Sequence, residues 1–204
     1  MAKVKMSKKS TKIDMTAMCD VAFLLLSFFV MTSTAKVPEP LPVDTPASTR
    51  ETKLPETDLV TITVGKEKVF FGMVGQDVRS NALGRIAEKY KLTFTEEETK
   101  RFSLIDGFGV PAGSLKGLIS LKSDERNKDG VQSGIPYDSI DNQLREWILA
   151  ARFATKELHQ KELKVAIKGD AKEEYPTIKK VIDILQDQKV NKFFLVTGLR
   201  TEDF

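Results

Sequence analysis

Residues 15–35 read MTAMCDVAFLLLSFFVMTSTA, an apolar run with one charged side chain, Asp20. At about 1.5 Å per residue, a helix of this length measures about 31 Å, close to the roughly 30 Å hydrocarbon core of a bilayer. An ionisable side chain in hydrocarbon costs on the order of 2.5–3.5 kcal/mol, so such residues normally face a protein partner or a wet cavity. The run predicts one transmembrane helix over residues 15–35, with Asp20 as the candidate functional residue.

The charge of the chain is concentrated at its N-terminus. Residues 1–14 carry five lysines and one aspartate, whereas residues 36–204 carry 27 basic and 27 acidic side chains. A basic tail before an apolar span stays in the cytoplasm, so we expect everything after the span to lie in the periplasm of a bacterium. Because the basicity belongs to the tail, the chain has no basic surface that would favour nucleic acid as a partner.

A cleavable signal peptide is an alternative explanation of the same run. The basic start, the apolar core over residues 21–31 and the small residues Ser33-Thr34-Ala35 also fit a signal sequence with its cleavage site. Asp20 weighs against cleavage, because a signal peptide gains nothing from an acid at the head of its apolar core. We therefore favour a retained membrane helix.

Asp20 shares its helix face with other polar side chains. At 100° per residue, Thr16, Ser27 and Thr34 fall within about 40° of Asp20. Such a stripe faces other helices or a water path, although each hydroxyl could instead bond back to its own helix. We expect Asp20 to bind protons as the coupling ion, with Thr16 and Ser27 supporting the pore-facing stripe. One helix cannot enclose a path, so a multi-span partner is expected.

Residues 36–58 form the predicted linker, which contains five prolines and almost no apolar periodicity. Such a composition is typical of an extended or disordered tether. In a polyproline conformation, at about 3.1 Å per residue, it would reach roughly 70 Å. A proline-rich stretch can also be a docking ligand, but we favour a role as a spacer that lifts the domain off the membrane.

Residues 59–204 predict a small periplasmic α+β domain in which helices pack on one face of a sheet. Alternating apolar residues predict strands, and apolar residues at helical spacing predict helices. A hairpin is expected around Gly65-Lys66. The predicted strands cover residues 59–64, where Val60, Ile62 and Val64 alternate with threonines, 68–71, 163–167 and 192–197. The predicted helices cover residues 137–158 and 175–186, and the first carries Ile140, Leu144, Trp147, Ile148 and Ala151 on one side.

Residues 73–135 form an insertion with its own local signals. Residues 81–90 have a helical pattern, and Thr95-x-x-Glu98 predicts a capping box that opens a short helix. The glycine-rich stretch 107–117 lacks the Gly-Lys-Ser/Thr of a phosphate loop. The charged stretch 124–130 lacks the spacing of a calcium loop and predicts an exposed loop.

The chain offers no recognisable catalytic constellation. Its one cysteine, Cys19, lies in the apolar run, and its one histidine, His159, lies near charged residues at the end of a predicted helix. We expect His159 to be solvated and to bind no metal. Without a nucleophile and base pair, the sequence predicts no enzyme, metal or cofactor.

Two stretches resemble the ExbD/TolR family. The first comprises Ile13, Thr16, Asp20, Val21, Leu24-Leu25-Leu26, Phe28-Phe29 and Met31. It resembles the membrane segment of the family, where a hydrophobic residue, a threonine and the proton-carrying aspartate recur at this spacing. Ala17 and Met18 depart from the proline and bulky apolar residue that usually follow the threonine, which bears on how the chain enters the helix.

The second stretch resembles the periplasmic domain of the same family. It comprises Gly169-Asp170, Tyr175, Ile178, Ile182, Asp183, Leu185 and the predicted strand over residues 193–197. We expect Asp170 to cap a loop and Tyr175 to pack in the core rather than to contact a ligand, and we assign neither residue a catalytic role. The resemblance covers residues 13–35, 59–72 and 136–197, and finds no counterpart for the insertion.

The resemblance implies an ExbD-like subunit of an inner-membrane motor that is driven by the proton-motive force. Two copies would place their helices in the pore of an ExbB-like oligomer and energise a TonB-like transducer of outer-membrane transport. A TolR-like anchor that contacts peptidoglycan is the alternative. A stator subunit of a gliding or secretion motor is another.

Overall fold

The computed structural model describes residues 15–33, 39–48, 53–138 and 141–199. The chain divides into two compact units, Met1–Val37 and Pro38–Phe204. In the described part of the first unit, the chain forms helix α1, Met15–Thr32, in which no residue is buried. Its length and apolar composition suit one membrane crossing. The predicted basic tail and the last two residues of the predicted span, 34–35, lie outside the described residues.

The second unit contains the remaining helices and all the described strands. Its strands are β1 (Ala47–Ser48), β2 (Leu59–Gly65), β3 (Lys68–Met73), β4 (Gly107–Phe108), β5 (Lys164–Gly169), β6 (Phe193–Val196) and β7 (Gly198–Leu199). Its helices are α2 (Gln76–Tyr90), α3 (Glu96–Ser103), α4 (Leu115–Ser120), α5 (Ser123–Arg126), α6 (Gln143–His159) and α7 (Tyr175–Asp187). A short 3₁₀ turn, Ala112–Ser114, precedes α4.

A five-stranded mixed sheet with the order β4-β3-β2-β5-β6 organises this unit. Strands β2 and β3 form the predicted antiparallel hairpin, β5 pairs with β2 in parallel, and β6 pairs with β5 in parallel. The turn falls one residue later than expected, at Lys66 and Glu67, because Gly65 pairs with Lys68 inside the ladder. The predicted α+β fold is confirmed.

The core between the helices and the sheet is built around an aromatic cluster. Trp147 on α6 is fully buried and lies 4.7–6.2 Å, between ring centroids, from Phe71, Phe102 and Phe108. Phe71 belongs to β3, whereas Phe102 and Phe108 come from the insertion. Aromatic rings at these separations add about 0.5–1.5 kcal/mol per pair beyond the burial of their area. The insertion is therefore part of the core.

Hydrogen bonds organise the insertion internally and join it to β3. The predicted capping box is confirmed, because Thr95 N donates to Glu98 Oε2 at 2.8 Å and Glu98 N donates to Thr95 Oγ1 at 3.2 Å. The buried Arg79 guanidinium on α2 donates to the carbonyls of Met73 and Ser103, at 2.7 and 2.6 Å. Strand β4, unexpected from the sequence, pairs with the outer edge of β3.

Helix α6 begins later than predicted, at Gln143 rather than residue 137. Asn142 caps it, since its side-chain oxygen accepts a hydrogen bond from Arg145 N at 2.9 Å. Tyr137 instead pairs with Asn142 in an isolated bridge. Ile140, which was expected on the buried side of this helix, lies outside the described residues. The predicted buried face is otherwise confirmed at Leu144, Trp147, Ile148 and Ala151.

Residues 39–48, which we call the strap, lie against the domain rather than forming a free tether. Leu41 is only 4% exposed, and the carbonyls of Asp44 and Pro46 accept hydrogen bonds from Ala171 N at 2.7 Å and Gly198 N at 2.9 Å. Strand β1 in the strap pairs with β7. Proline lacks an N–H but keeps its carbonyl, so a proline-rich segment can still dock.

Leu41→Ala should loosen the strap, because it removes the most deeply buried side chain of this segment. A loss of about 2 kcal/mol, the lower end for Leu→Ala, should speed amide exchange in the strap about thirtyfold. Hydrogen exchange of the full-length protein in detergent measures this. The control is Asp44→Asn, an isosteric change of an exposed residue in the same segment. Equal protection in both variants would show that Leu41 does not hold the strap.

Candidate functional site

Helix α1 places the three predicted site residues on one face. The helix is continuous over 18 residues, so Thr16 lies one turn before Asp20 and Ser27 lies about two turns after it. Asp20 is the only charged residue between Met15 and Thr32. The hydroxyls are thus spaced along about 16 Å of the helix axis, with the carboxylate between them. Thr34, the fourth predicted member of the stripe, lies outside the described residues.

Hydroxyl groups on α1 bond back to the helix backbone. Ser27 Oγ donates to the carbonyl of Leu24 at 2.9 Å, and Thr32 Oγ1 donates to the carbonyl of Phe28 at 2.8 Å. This is the alternative that the sequence left open for Ser27. A hydroxyl that donates in this way keeps lone pairs that accept hydrogen bonds from water or a partner helix. Ser27 can therefore still contribute to a polar stripe as an acceptor.

The opposite face of α1 is apolar. Met18, Leu25 and Phe29 lie on it, and each is at least half exposed within this chain. Because no residue of α1 is buried, the helix offers both faces to lipid or to other helices. Its own chain encloses no path to Asp20 in the described part of this unit. In hydrocarbon, a carboxylate exchanges protons only where water or polar side chains reach it.

Of the two residues singled out on the domain, Asp170 and Tyr175, only the first has the expected structural role. Asp170 caps the turn after β5, as expected, since its carboxylate accepts a hydrogen bond from Lys172 N at 3.0 Å. Tyr175 is 70% exposed, so the expectation that it packs in the core is wrong. It is the first residue of α7, ahead of the buried residues of this helix, Val181, Ile184 and Leu185.

His159 is not a freely solvated side chain, contrary to the prediction. Its two ring nitrogens contact the carboxylates of Asp58 and Asp77. Those partners lie 101 and 82 residues away in the chain, so no local pattern could reveal them. In the part of the chain that the structure describes, no group of three or more His, Cys, Asp or Glu residues is arranged to hold a metal ion.

Comparison with known proteins identifies the family. A family model described as biopolymer transport protein ExbD/TolR matches residues 6–199. The chain belongs to the ExbD/TolR family. The matched range includes the membrane helix, the strap and the domain, and it runs through the insertion at residues 73–135. No curated protein and no solved structure gives a significant match.

Membership of the ExbD/TolR family places the chain in a transport-related, non-enzymatic group of energising-motor subunits. Members work with ExbB/TolQ and TonB/TolA partners in membrane complexes. The apolar helix α1 agrees with this placement, and together they indicate a single-pass inner-membrane protein. The family thus accounts for the one helix, among the described residues, that is long and apolar enough to cross a membrane.

Proposed function

We propose that this chain is the ExbD-like subunit of an inner-membrane motor, and that Asp20 takes up and releases the proton that drives it. The observation that carries the proposal is the position of Asp20, the one charged residue of an apolar helix with no buried face. A carboxylate there costs on the order of 2.5–3.5 kcal/mol, which a proton-handling role explains.

Protonation of Asp20 would change the charge on the face that α1 presents to its partner. One charge moved through 100 mV releases about 2.3 kcal/mol, enough to shift a contact between two helix arrangements about fiftyfold. The path itself would be supplied by an ExbB-like multi-span oligomer, with two copies of this chain inside its pore. Uptake and release of a proton at Asp20 would then move α1 against its partner.

The basic tail supports an orientation with the N-terminus in the cytoplasm and the domain in the periplasm. Movement of α1 would reach the domain through residues 33–58, including the strap, and then a TonB-like transducer. A TolR-like role, in which the domain holds the cell wall or an envelope complex, would use the same helix with another load. The TonB-type role predicts a defect in outer-membrane uptake, whereas the TolR-type role predicts an envelope defect.

Purification of the full-length protein in mild detergent tests this proposal. We expect the intact chain, with residues 1–35 retained by mass, to co-purify with a multi-span membrane protein present in more copies. A chain that lacks its first 35 residues and is recovered from the soluble periplasmic fraction would instead establish a cleaved signal peptide. An intact chain that purifies without a membrane partner would contradict the motor proposal.

A further inference from the structure

The only histidine of the chain lies between two carboxylates from distant segments. His159 is the last residue of α6, Asp58 immediately precedes β2, and Asp77 lies in the first turn of α2. Nδ1 of His159 contacts Asp58 Oδ1, and Nε2 lies 2.8 Å from Asp77 Oδ2. The imidazole therefore connects the start of β2, the first turn of α2 and the end of α6.

This cluster is organised on both sides of the ring. The Asp58 side chain is 5% exposed, and its second oxygen lies 3.7 Å from Lys161 Nζ. The other oxygen of Asp77 accepts a hydrogen bond from Val78 N at 2.9 Å, which fixes the carboxylate at the start of α2. Asp58, Asp77 and Lys161 are the charged groups that the described residues place at this cluster.

The geometry favours a protonated ring when both carboxyl groups are ionised. A neutral imidazole carries one N–H, so it can donate to one carboxylate only, whereas the imidazolium donates to both. The hydrogen bond that His159 donates to Asp58, followed by the one it donates to Asp77, raises the pKa of His159 above its ordinary 6.5. Partial burial raises the pKa of Asp77, but the hydrogen bonds from His159 and Val78 outweigh it and leave that pKa below 3.8.

We propose that His159, Asp58 and Asp77 form a pH-sensitive latch, which holds α2 and the root of β2 to α6 while the imidazole is protonated. Asp58 stands where the segment from the membrane enters the sheet, so the latch controls how firmly that entry point is held. It is a periplasmic device in the proposed orientation. Its existence does not depend on proton transfer at Asp20.

The direction of the pH dependence follows from the two pKa shifts. A raised histidine pKa stabilises the folded state fully below about 6.5, and this stabilisation is lost as pH rises through the raised value. The lowered Asp77 pKa stabilises above about 3.8 and is lost as pH falls through the lowered value. The latch is therefore closed in mild acid and opens towards alkaline pH.

Titration of the single histidine by NMR tests the latch directly. Full-length protein in detergent, labelled at histidine and carrying a histidine-free affinity tag, should give one ring signal that titrates above pH 6.5. Asp77→Asn should lower this pKa. Glu157→Gln, which removes the neighbouring Arg85–Glu157 pair between the same two helices, should leave it unchanged. Titration at or below 6.5, or equal shifts in both variants, would overturn the proposal.

Hydrogen exchange gives a second measurement. A histidine that titrated without holding the segments together would leave the exchange rates unchanged. In the wild type, residues 53–60 and 73–80 should lose protection on raising the pH through the measured histidine pKa, after correction for intrinsic exchange. Linkage sets the change in the opening equilibrium at about tenfold for each pKa unit. His159→Gln should remove the pH dependence of this protection. Asp77→Asn, at a more exposed position, should reduce it. Wild-type protection that is independent of pH would refute the latch.

Discussion

Asp20→Asn should abolish cargo uptake through outer-membrane transporters while the variant protein remains at wild-type abundance. Asparagine keeps the size and shape of aspartate but cannot titrate, so each step that depends on charge at this position stops. Insertion of α1 is not impaired, because a neutral amide costs less in hydrocarbon than a carboxylate. Growth on a cargo that depends on such a transporter measures uptake, and an immunoblot of membranes measures abundance.

Two variants sharpen the comparison at Asp20. Cys19→Ser changes the adjacent residue, which points about 100° away from Asp20, and should leave uptake intact. Asp20→Glu keeps a titratable carboxylate on a longer stem and should retain part of the activity. If the Asp20→Asn variant supported normal uptake at normal abundance, Asp20 would not be the residue that drives the motor. Loss of envelope integrity without loss of uptake would favour the TolR-type role.

Trp147→Ala should lower the free energy of unfolding by about 3–5 kcal/mol, the largest stability effect we expect from one side chain. Trp147 is fully buried and touches aromatic rings from β3 and from the insertion, so its loss leaves a cavity where three segments meet. Typical domains are stable by only 5–15 kcal/mol. Denaturant unfolding of the full-length protein in detergent, followed by circular dichroism, measures the change.

Phe153→Ala is the matched control for Trp147, because it removes an aromatic side chain from the same helix at a position that is 56% exposed. It should cost less than about 1 kcal/mol. Trp147→Phe should cost less than alanine, since Trp147 Nε1 is buried without a hydrogen-bond partner in the described structure and phenylalanine has no such group. Equal losses for Trp147→Ala and Phe153→Ala would contradict this description of the core.

Elements with a local pattern were predictable from the sequence. The alternation of Val60, Ile62 and Val64 located β2, and the Thr95–Glu98 spacing located the start of α3. The buried face of α6 followed from Leu144, Trp147 and Ile148. These signals are periodic or short-range, so the residues that decide the structure lie within one element. The family resemblance around Asp20 depended on short spacing in the same way.

Contacts between distant segments were not predictable. Strand β4 has two residues, too few for any alternation, and it forms because Gly107 and Phe108 meet the edge of β3. The strap docks through backbone carbonyls and one buried side chain, Leu41, so no apolar periodicity reveals the contact. His159 meets carboxylates about 80 and 100 residues away. Each of these depends on the finished fold, so composition alone pointed to a free tether and a solvated histidine.

Residues 73–135 help to hold the domain together. Phe102 and Phe108 of this stretch belong to the aromatic cluster of the core. Its Arg79 donates a hydrogen bond to the carbonyl of Met73 at the end of β3, and its Asp77 contacts His159. It is therefore integrated with the sheet and α6, and we expect its removal to unfold the domain rather than to release a separable module.

Proton flux through the reconstituted complex tests the central claim most directly. The full-length chain, with the multi-span partner that co-purifies with it, is placed in liposomes that contain a pH-sensitive dye, and a membrane potential is applied. We expect the wild type and Cys19→Ser to pass protons at equal rates and Asp20→Asn to fall to the rate of empty liposomes. Undiminished flux with Asp20→Asn would show that the proton does not pass by way of this carboxylate.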